Sequence, residues 1–82
     1  MNITVKLIGR YQDLLGKQHV MLHIASGDTI WHVIDTMVKQ YPQLEKDKKF
    51  IMVSKNNAFT NREVKIRDGD EITLSPPVVS GG

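Results

Sequence analysis

No cysteine occurs among the 82 residues. Disulfides, iron–sulfur ligation and catalysis by a thiol of this chain are therefore excluded. Charge of one sign is also lacking. Lys and Arg number 11 against 9 Asp and Glu, a net charge of +2. The signs are interspersed, so the basic footprint of a nucleic-acid-binding protein is missing. Apolar runs extend over only a few residues, too short to span a bilayer. The start of the chain, Met1-Asn2-Ile3-Thr4-Val5-Lys6, lacks the basic stretch and long apolar segment of a secretory leader, which predicts a cytoplasmic protein. The chain is too short for two ordinary domains. Folding at this size hides only about 63% of the unfolded surface. The expected core is small, with no interior left for a large bound cofactor. Chemistry is then expected on the surface, in a tail or on a partner.

The residues that are present alternate at both ends of the chain. Ile3, Val5 and Leu7 fall on one face of a strand over 2–8, with Asn2, Thr4 and Lys6 on the other. Residues 10–16 suit one or two helical turns stopped by Gly16. Val20, Leu22 and Ile24 then alternate with His19, Met21 and His23, which predicts a second strand over 18–24. Ser26-Gly27-Asp28-Thr29 is a turn into a helix, with Asp28 or Thr29 as the expected side-chain cap. Ile30, Val33, Ile34, Met37, Val38 and Tyr41 form one apolar stripe at helical spacing. Pro42 ends it, because the residue before a proline is driven from the helical region. A charged connection with Leu44 as its apolar anchor covers 43–49. A strand over 50–54, a turn at Asn56-Asn57, short alternating pieces over 58–67, a tight turn at Asp68-Gly69 and a last strand over 70–75 complete the order. No internal repeat is present.

One helix with a single apolar stripe needs one sheet face to cover. The expected fold is α+β: a mixed sheet of four or five strands on one main helix. The first and last strands, which have the strongest inward faces, lie centrally and parallel. This is the β-grasp, or ubiquitin-like, arrangement, with residues 1–75 as the domain and 76–82 as an extended tail.

The tail reads Pro76-Pro77-Val78-Val79-Ser80-Gly81-Gly82. Two prolines favour an extended exit, and seven residues at ~3.1 Å each reach about 22 Å. Glycine has no Cβ, so a partner can close around the last two residues and reach the Gly82 carboxylate. Such an arm suits insertion into another protein's active site, with the carboxylate as an acyl group awaiting activation. Terminal glycines are also ordinary chain ends. Their position after a proline-stiffened segment and a β-grasp body favours the functional reading.

The run Arg67-Asp68-Gly69-Asp70-Glu71-Ile72-Thr73-Leu74-Ser75-Pro76-Pro77-Val78, closing in Gly81-Gly82, resembles the MoaD/ThiS family of ubiquitin-like sulfur carriers, most narrowly its molybdopterin synthase small-subunit branch. Gly27-Asp28-Thr29-Ile30 and Tyr41-Pro42 extend the likeness over the chain. The resemblance implies that an E1-like adenylating enzyme spends ATP on the Gly82 carboxylate and that a sulfur donor protein then supplies sulfur, giving a thiocarboxylate. It implies delivery of that sulfur inside a molybdopterin synthase large subunit (MoaE-like), with Pro76, Pro77, Val78, Val79, Ser80 and Gly81 as the inserted segment. The carrier itself then needs no catalytic side chain, metal or bound cofactor. Two departures bear on partner choice: Ser75 stands where the family often has a bulky apolar residue, and Val79 lengthens the tail by one. The same tail also suits a protein modifier linked to lysines, or a carrier for thiamine or tRNA thiolation. A β-grasp interaction module with incidental glycines is the third reading.

Other residues are read more plainly. His19 and His23 share a strand face but lie ~13 Å apart, too far for one metal ion. His32 is a solvent-facing helix residue. Lys46-Asp47-Lys48-Lys49 is a solvated connection with some suitability for an acidic partner. Ile8, Met21 and Phe59 are apolar residues that the core does not explain, and clustered on an open sheet face they would form a partner patch. Trp31 sits one position off the helical stripe, either packed at the helix edge or marking a contact.

Overall fold

The computed structural model describes residues 1–77. Its elements are β1 (Asn2–Leu7), α1 (Arg10–Leu15), β2 (His19–His23), α2 (Ile30–Gln40), a 3₁₀ turn (Pro42–Asp47), β3 (Met52–Lys55), β4 (Ala58–Phe59) and β5 (Glu71–Ser75). The strands form one sheet in the order β2-β1-β5-β3-β4. β1 and β5 are parallel neighbours, with Val5 beside Ile72 and Leu7 beside Leu74. The other pairings are antiparallel. A parallel pair needs a long crossover, and here everything between the first and last strands supplies it. The β-grasp expectation, including the central placement of both terminal strands, matches this sheet.

Period 2 on the strands and period 3.6 on α2 converge on one core. Ile3, Val5, Leu7, Val20, Leu22, Val53, Ile72 and Leu74 bury one sheet face against Ile30, Val33, Ile34, Met37 and Val38 of α2. Leu44 closes the core from the 3₁₀ turn at 1% exposure, and Ile66 closes it from the loop before β5. The opposite face of the sheet carries exposed residues, Lys6, His19, Met21 and Phe59 among them.

Local detail departs from the sequence expectations in three places. First, no side chain caps α2. Ile30 N–H donates instead to Val64 O at 3.1 Å, and Trp31 N–H to Arg62 O at 3.1 Å. Free N–H groups at a helix start need acceptors, and a distant loop brings backbone carbonyls where the nearby Asp28 and Thr29 side chains do not. Second, the strand expected over 50–54 begins at Met52. Phe50 N–H and Ile51 N–H both bond to Asp47 O, at 2.7 and 2.9 Å, so the backbone there closes a turn rather than joining the ladder. Third, the charged connection is helical. Its Asp47 carboxylate accepts from Arg10 Nη2 at 2.7 Å and from Tyr11 Oη at 2.8 Å. Burial, and then that carboxylate, hold the Tyr11 phenol well above its usual pKa.

Asn56 and Asn57 take positive φ of 52° and 71°, the backbone that a two-residue hairpin loop requires. Asn56 then bonds across to the last strand: its side-chain amide donates to Asp70 Oδ1 at 3.0 Å and its Oδ1 accepts from Glu71 N–H at 2.9 Å. Asp70 also accepts from Arg67 N–H at 2.8 Å. The Arg67 backbone N–H, together with Asn56 and Lys55, holds the Asp70 carboxyl below the usual carboxylate range despite partial burial. A lowered folded-state pKa stabilises the fold above the unfolded pKa, near 4. That contribution is lost as pH falls through the folded value. Urea unfolding midpoints for Asp70→Ala should therefore fall less between pH 6 and pH 3 than those of the unaltered chain. Parallel slopes would show that Asp70 plays no such part.

Candidate functional site

Among the described residues there is no pocket and no group of three or more His, Cys, Asp or Glu side chains able to hold a metal. His19 and His23 are exposed on β2, as expected, and His23 Nδ1 lies 3.0 Å from Asn2 Oδ1. His32 faces Asp28 at 3.6 Å across one helical turn.

The features that remain are an uncovered sheet face and the point where β5 gives out. The registers align one row across all five strands on that face: His19, Lys6, Thr73, Ser54 and Phe59. Phe59 ends the row at 75% exposure. Met21 stands on the opposite edge strand, four strand spacings or about 19 Å away. Its sulfur accepts a hydrogen bond from Thr4 Oγ1 at 3.1 Å. Met21 and Phe59 thus share a face without forming one cluster, because the sheet order puts β2 and β4 at opposite edges. Ile8 continues the β1 alternation one residue past the strand, and Met52 lies opposite Ser75 in the β3–β5 register. Apolar groups therefore flank Ser75 on both sides at the end of the face where β5 stops. Ser75 is half-buried there.

Pro76 and Pro77 follow directly and are partly exposed. Neither ring has an N–H to extend the ladder, so the strand ends by chemistry rather than by a change of direction. Because β5 is central, the chain leaves from the middle of the sheet end, next to the β1–α1 turn. Val78, Val79, Ser80, Gly81 and Gly82, named from the sequence as the inserted arm and its reactive end, lie outside the described residues.

A second set of contacts had no signal in the sequence. Arg62 donates to Lys48 O at 2.7 Å and Ile51 O at 2.8 Å, and its guanidinium lies 4.7 Å from the Trp31 ring centroid. Trp31 is thus explained as a packing surface for an arginine that ties the loop before β5 to the turn before β3. Lys48 pairs with Asp35 at 2.9 Å. The basic run is engaged at Lys48 and Asp47 rather than solvated throughout.

Comparison with known proteins gives this arrangement a family. A model of the ThiS family matches residues 5–82. The chain belongs to that family of β-grasp proteins. It is 29% identical over 82 residues to the molybdopterin synthase sulfur carrier subunit of Arabidopsis thaliana, a match covering 100% of this chain and 84% of that protein. Among solved structures, SAMP1 from Haloferax volcanii superposes with a TM-score of 0.84 at 27% identity, covering 100% of both chains. The complex of subunits 1 and 2 of molybdopterin-converting factor from Helicobacter pylori matches with a TM-score of 0.68 at 18% identity, covering 99% of this chain and 100% of that one. No helix among the described residues is long and apolar enough to cross a membrane.

Proposed function

We propose that this protein is a sulfur carrier whose Gly82 carboxylate is activated as an acyl adenylate and converted to a thiocarboxylate, and that it serves as the small subunit of a molybdopterin synthase. The observation that carries the reading is the exit of the chain from the central strand β5 into Pro76-Pro77, with the family match running on through residue 82.

A carboxylate is a poor acyl donor because its leaving group would be an oxide. Attack of its oxygen on the α-phosphorus of ATP expels pyrophosphate and leaves an acyl adenylate. The outer sulfur of a persulfide on a donor protein then attacks the acyl carbon, and AMP leaves. A thiol of a partner protein attacks the inner sulfur of the resulting acyl disulfide, forming a disulfide with it and breaking the S–S bond, which leaves the outer sulfur on Gly82 as a thiocarboxylate, a nucleophile tethered to a protein in place of free sulfide. These steps need catalytic groups from an E1-like adenylating enzyme and a sulfur donor protein. The carrier supplies the acyl end and a surface that docks. The cytoplasm provides the ATP that this consumes.

The naming of the Arabidopsis relative as a sulfur carrier subunit supports the role. The Helicobacter pylori complex, a pairing of subunits 1 and 2, supports a large-subunit (MoaE-like) partner. Docking on that partner falls to the uncovered sheet face, with Phe59, Met52 and Ile8 as apolar contacts and Pro76 to Gly81 as the inserted segment. Exposed apolar groups beside a chain exit are suited to this, since burying them drives association.

A second reading is favoured by the likeness to SAMP1, described as a small archaeal modifier protein. In it Gly82 becomes isopeptide-linked to lysines of other proteins. Intact-mass spectrometry of the protein isolated from its own cells separates the two. The expected result is an oxygen-to-sulfur mass shift confined to the C-terminal peptide. Gly82 found only on target lysines overturns the carrier reading in favour of the modifier, and a chain with neither change overturns both.

A further inference from the structure

The two outer edges of the sheet differ. β4 forms one of them and holds only Ala58 and Phe59. β2 forms the other and runs His19-Val20-Met21-Leu22-His23. Its pairing with β1 decides which of its backbone groups face outward. Leu7 N–H donates to Gln18 O at 2.9 Å, and Ile24 N–H to Met1 O at 2.8 Å. Bonded pairs alternate along an antiparallel ladder, so Ile3–Leu22 and Val5–Val20 are the bonded pairs between them. The N–H and C=O groups of His19, Met21 and His23 therefore point away from β1. Among the described residues nothing bonds to them.

Proteins blunt open edges with very short strands, lysines, prolines or bulges. β4 is blunted by its length. β2 has none of these devices. It contains no proline and no Lys, Arg, Asp or Glu. Its register with β1 is unbroken from Asn2–His23 to Lys6–His19, so no bulge turns it aside. Lys17, just before the strand, is drawn to Tyr41, with Nζ donating to Tyr41 Oη at 3.2 Å. The outward residues are all exposed, Met21 at 63%. The strand is also complementary to itself. Set antiparallel to a second copy about a two-fold axis at Met21, His19 meets His23 of that copy and Val20 meets Leu22. Each outward residue then donates and accepts across the axis. Imidazole faces imidazole on the open side and aliphatic faces aliphatic on the core side. A slip of one residue would turn both faces over and lose this match.

We propose that two copies of this chain pair through their β2 edges, antiparallel about Met21, into one continuous sheet. The assembly closes at two copies. It uses both β2 edges and leaves the β4 strands outermost, too short to recruit a third. Pairing in the plane of the sheet keeps both α2 helices on one side and both open faces on the other. Met52, Phe59 and the Pro76 exit of each copy stay uncovered, since β1 separates β5, β3 and β4 from the axis. Strand pairing alone buries less surface than a permanent dimer needs, so the association is reversible and builds with concentration. It does not rest on the sulfur-carrier reading, which makes no use of this edge.

The test uses the full chain, which has no cysteine of its own. Bonded antiparallel partners stand about 5.5 Å apart at Cα, a span that a disulfide bridges. Met21→Cys puts both thiols on the axis. His19→Cys or His23→Cys alone sets identical thiols about 13 Å apart, whereas a mixture of the two brings unlike thiols together. Linkage under mild oxidation, read as intact mass without reductant, should be about tenfold faster for Met21→Cys than for either histidine variant alone. The mixture should also outpace both. Phe59→Cys, at a still more exposed position, gives the rate of random collision. Met21→Cys linking no faster than Phe59→Cys overturns the proposal. A histidine variant that links alone as fast as the mixture sets another register and overturns it too. A second measurement needs no thiol. Amide hydrogen exchange at His19, Met21 and His23 should slow about tenfold from dilute to concentrated unaltered protein, with Phe59 unchanged. Met21→Lys opposes two like charges at the axis and should remove the effect without touching the core. Exchange independent of concentration overturns the pairing. Protection gained only on adding another protein, the large subunit included, gives the edge to that protein's strand and overturns it as well.

Discussion

Deleting Gly82, or adding one residue after it, should abolish sulfur transfer while leaving the fold intact. The two halves of that result have separate physical grounds. The described core is built from residues 3–74, and none of its side chains belongs to the tail, so thermal unfolding should be unchanged. The proposed reaction needs the acyl carbon at one distance from the activating enzyme's ATP site. Deletion retracts it by one residue, about 3 Å, and places a less accommodating serine-glycine end in the channel. Addition moves the carboxylate beyond the point where the glycines let the partner close. Since a misplacement of about 1 Å costs up to 10²-fold, either change should lower thiocarboxylate formation by 10²-fold or more. The measurement is the yield of the sulfur-bearing species by mass spectrometry after incubation with the activating enzyme, ATP and a sulfur donor. Retained transfer by either variant contradicts the assignment of Gly82. A fallen melting temperature would show that the tail belongs to the fold.

Leu74→Ala should have the largest effect on stability. Leu74 is fully buried, lies beside Leu7 in the parallel pair and opposite Val53 in the antiparallel one, and so stands at the centre of the sheet. Truncating a buried leucine loses its transfer free energy and leaves a cavity, about 2–5 kcal/mol in all. Small domains have about 5–15 kcal/mol in total, and a chain of this size sits low in that range. The variant should therefore unfold at a markedly lower urea concentration, and loss of much less than 2 kcal/mol would show that the site collapses around the smaller side chain. Phe59→Ala is a useful contrast. At 75% exposure, its removal should leave the urea midpoint close to that of the unaltered chain.

How much of this was legible in the sequence depends on the range of the interaction concerned. Alternation over 2–8, 18–24 and 70–75 and the helical stripe from Ile30 to Tyr41 mark the face that meets the core, because a strand or helix shows one face to the core whatever its neighbours are; Thr73, on the other face of β5, is buried as well, which alternation does not foretell. The turn at Asn56-Asn57 was equally readable, since few residues take positive φ. The start of α2 was not. Its acceptors are Arg62 O and Val64 O, some thirty residues on, and a backbone carbonyl has no residue code. Phe50 misled for a related reason: in composition it continues a strand, but Asp47 O captures the N–H groups of Phe50 and Ile51 first. Trp31 reads two ways in the sequence, and the partner that places it, Arg62, with its guanidinium over the ring, lies 31 positions further on. Ile8, Met21 and Phe59 stand out in the sequence as apolar residues that the core does not explain, and all three are exposed. Whether they formed one patch depended on strand order, which alternation alone does not encode.

The sequence by itself determined the principal strands, the main helix, the faces they turn to the core and the prolines that end the sheet. These follow from side-chain period and from the missing proline N–H, both properties of single residues and near neighbours. Only the tertiary structure decided that Asp47 gathers Arg10 and Tyr11 and that Arg62 ties two loops across Trp31. Each of these joins groups from 11 to 37 positions apart in the chain. They are brought together by the packing of helix on sheet, which short-range patterns do not record.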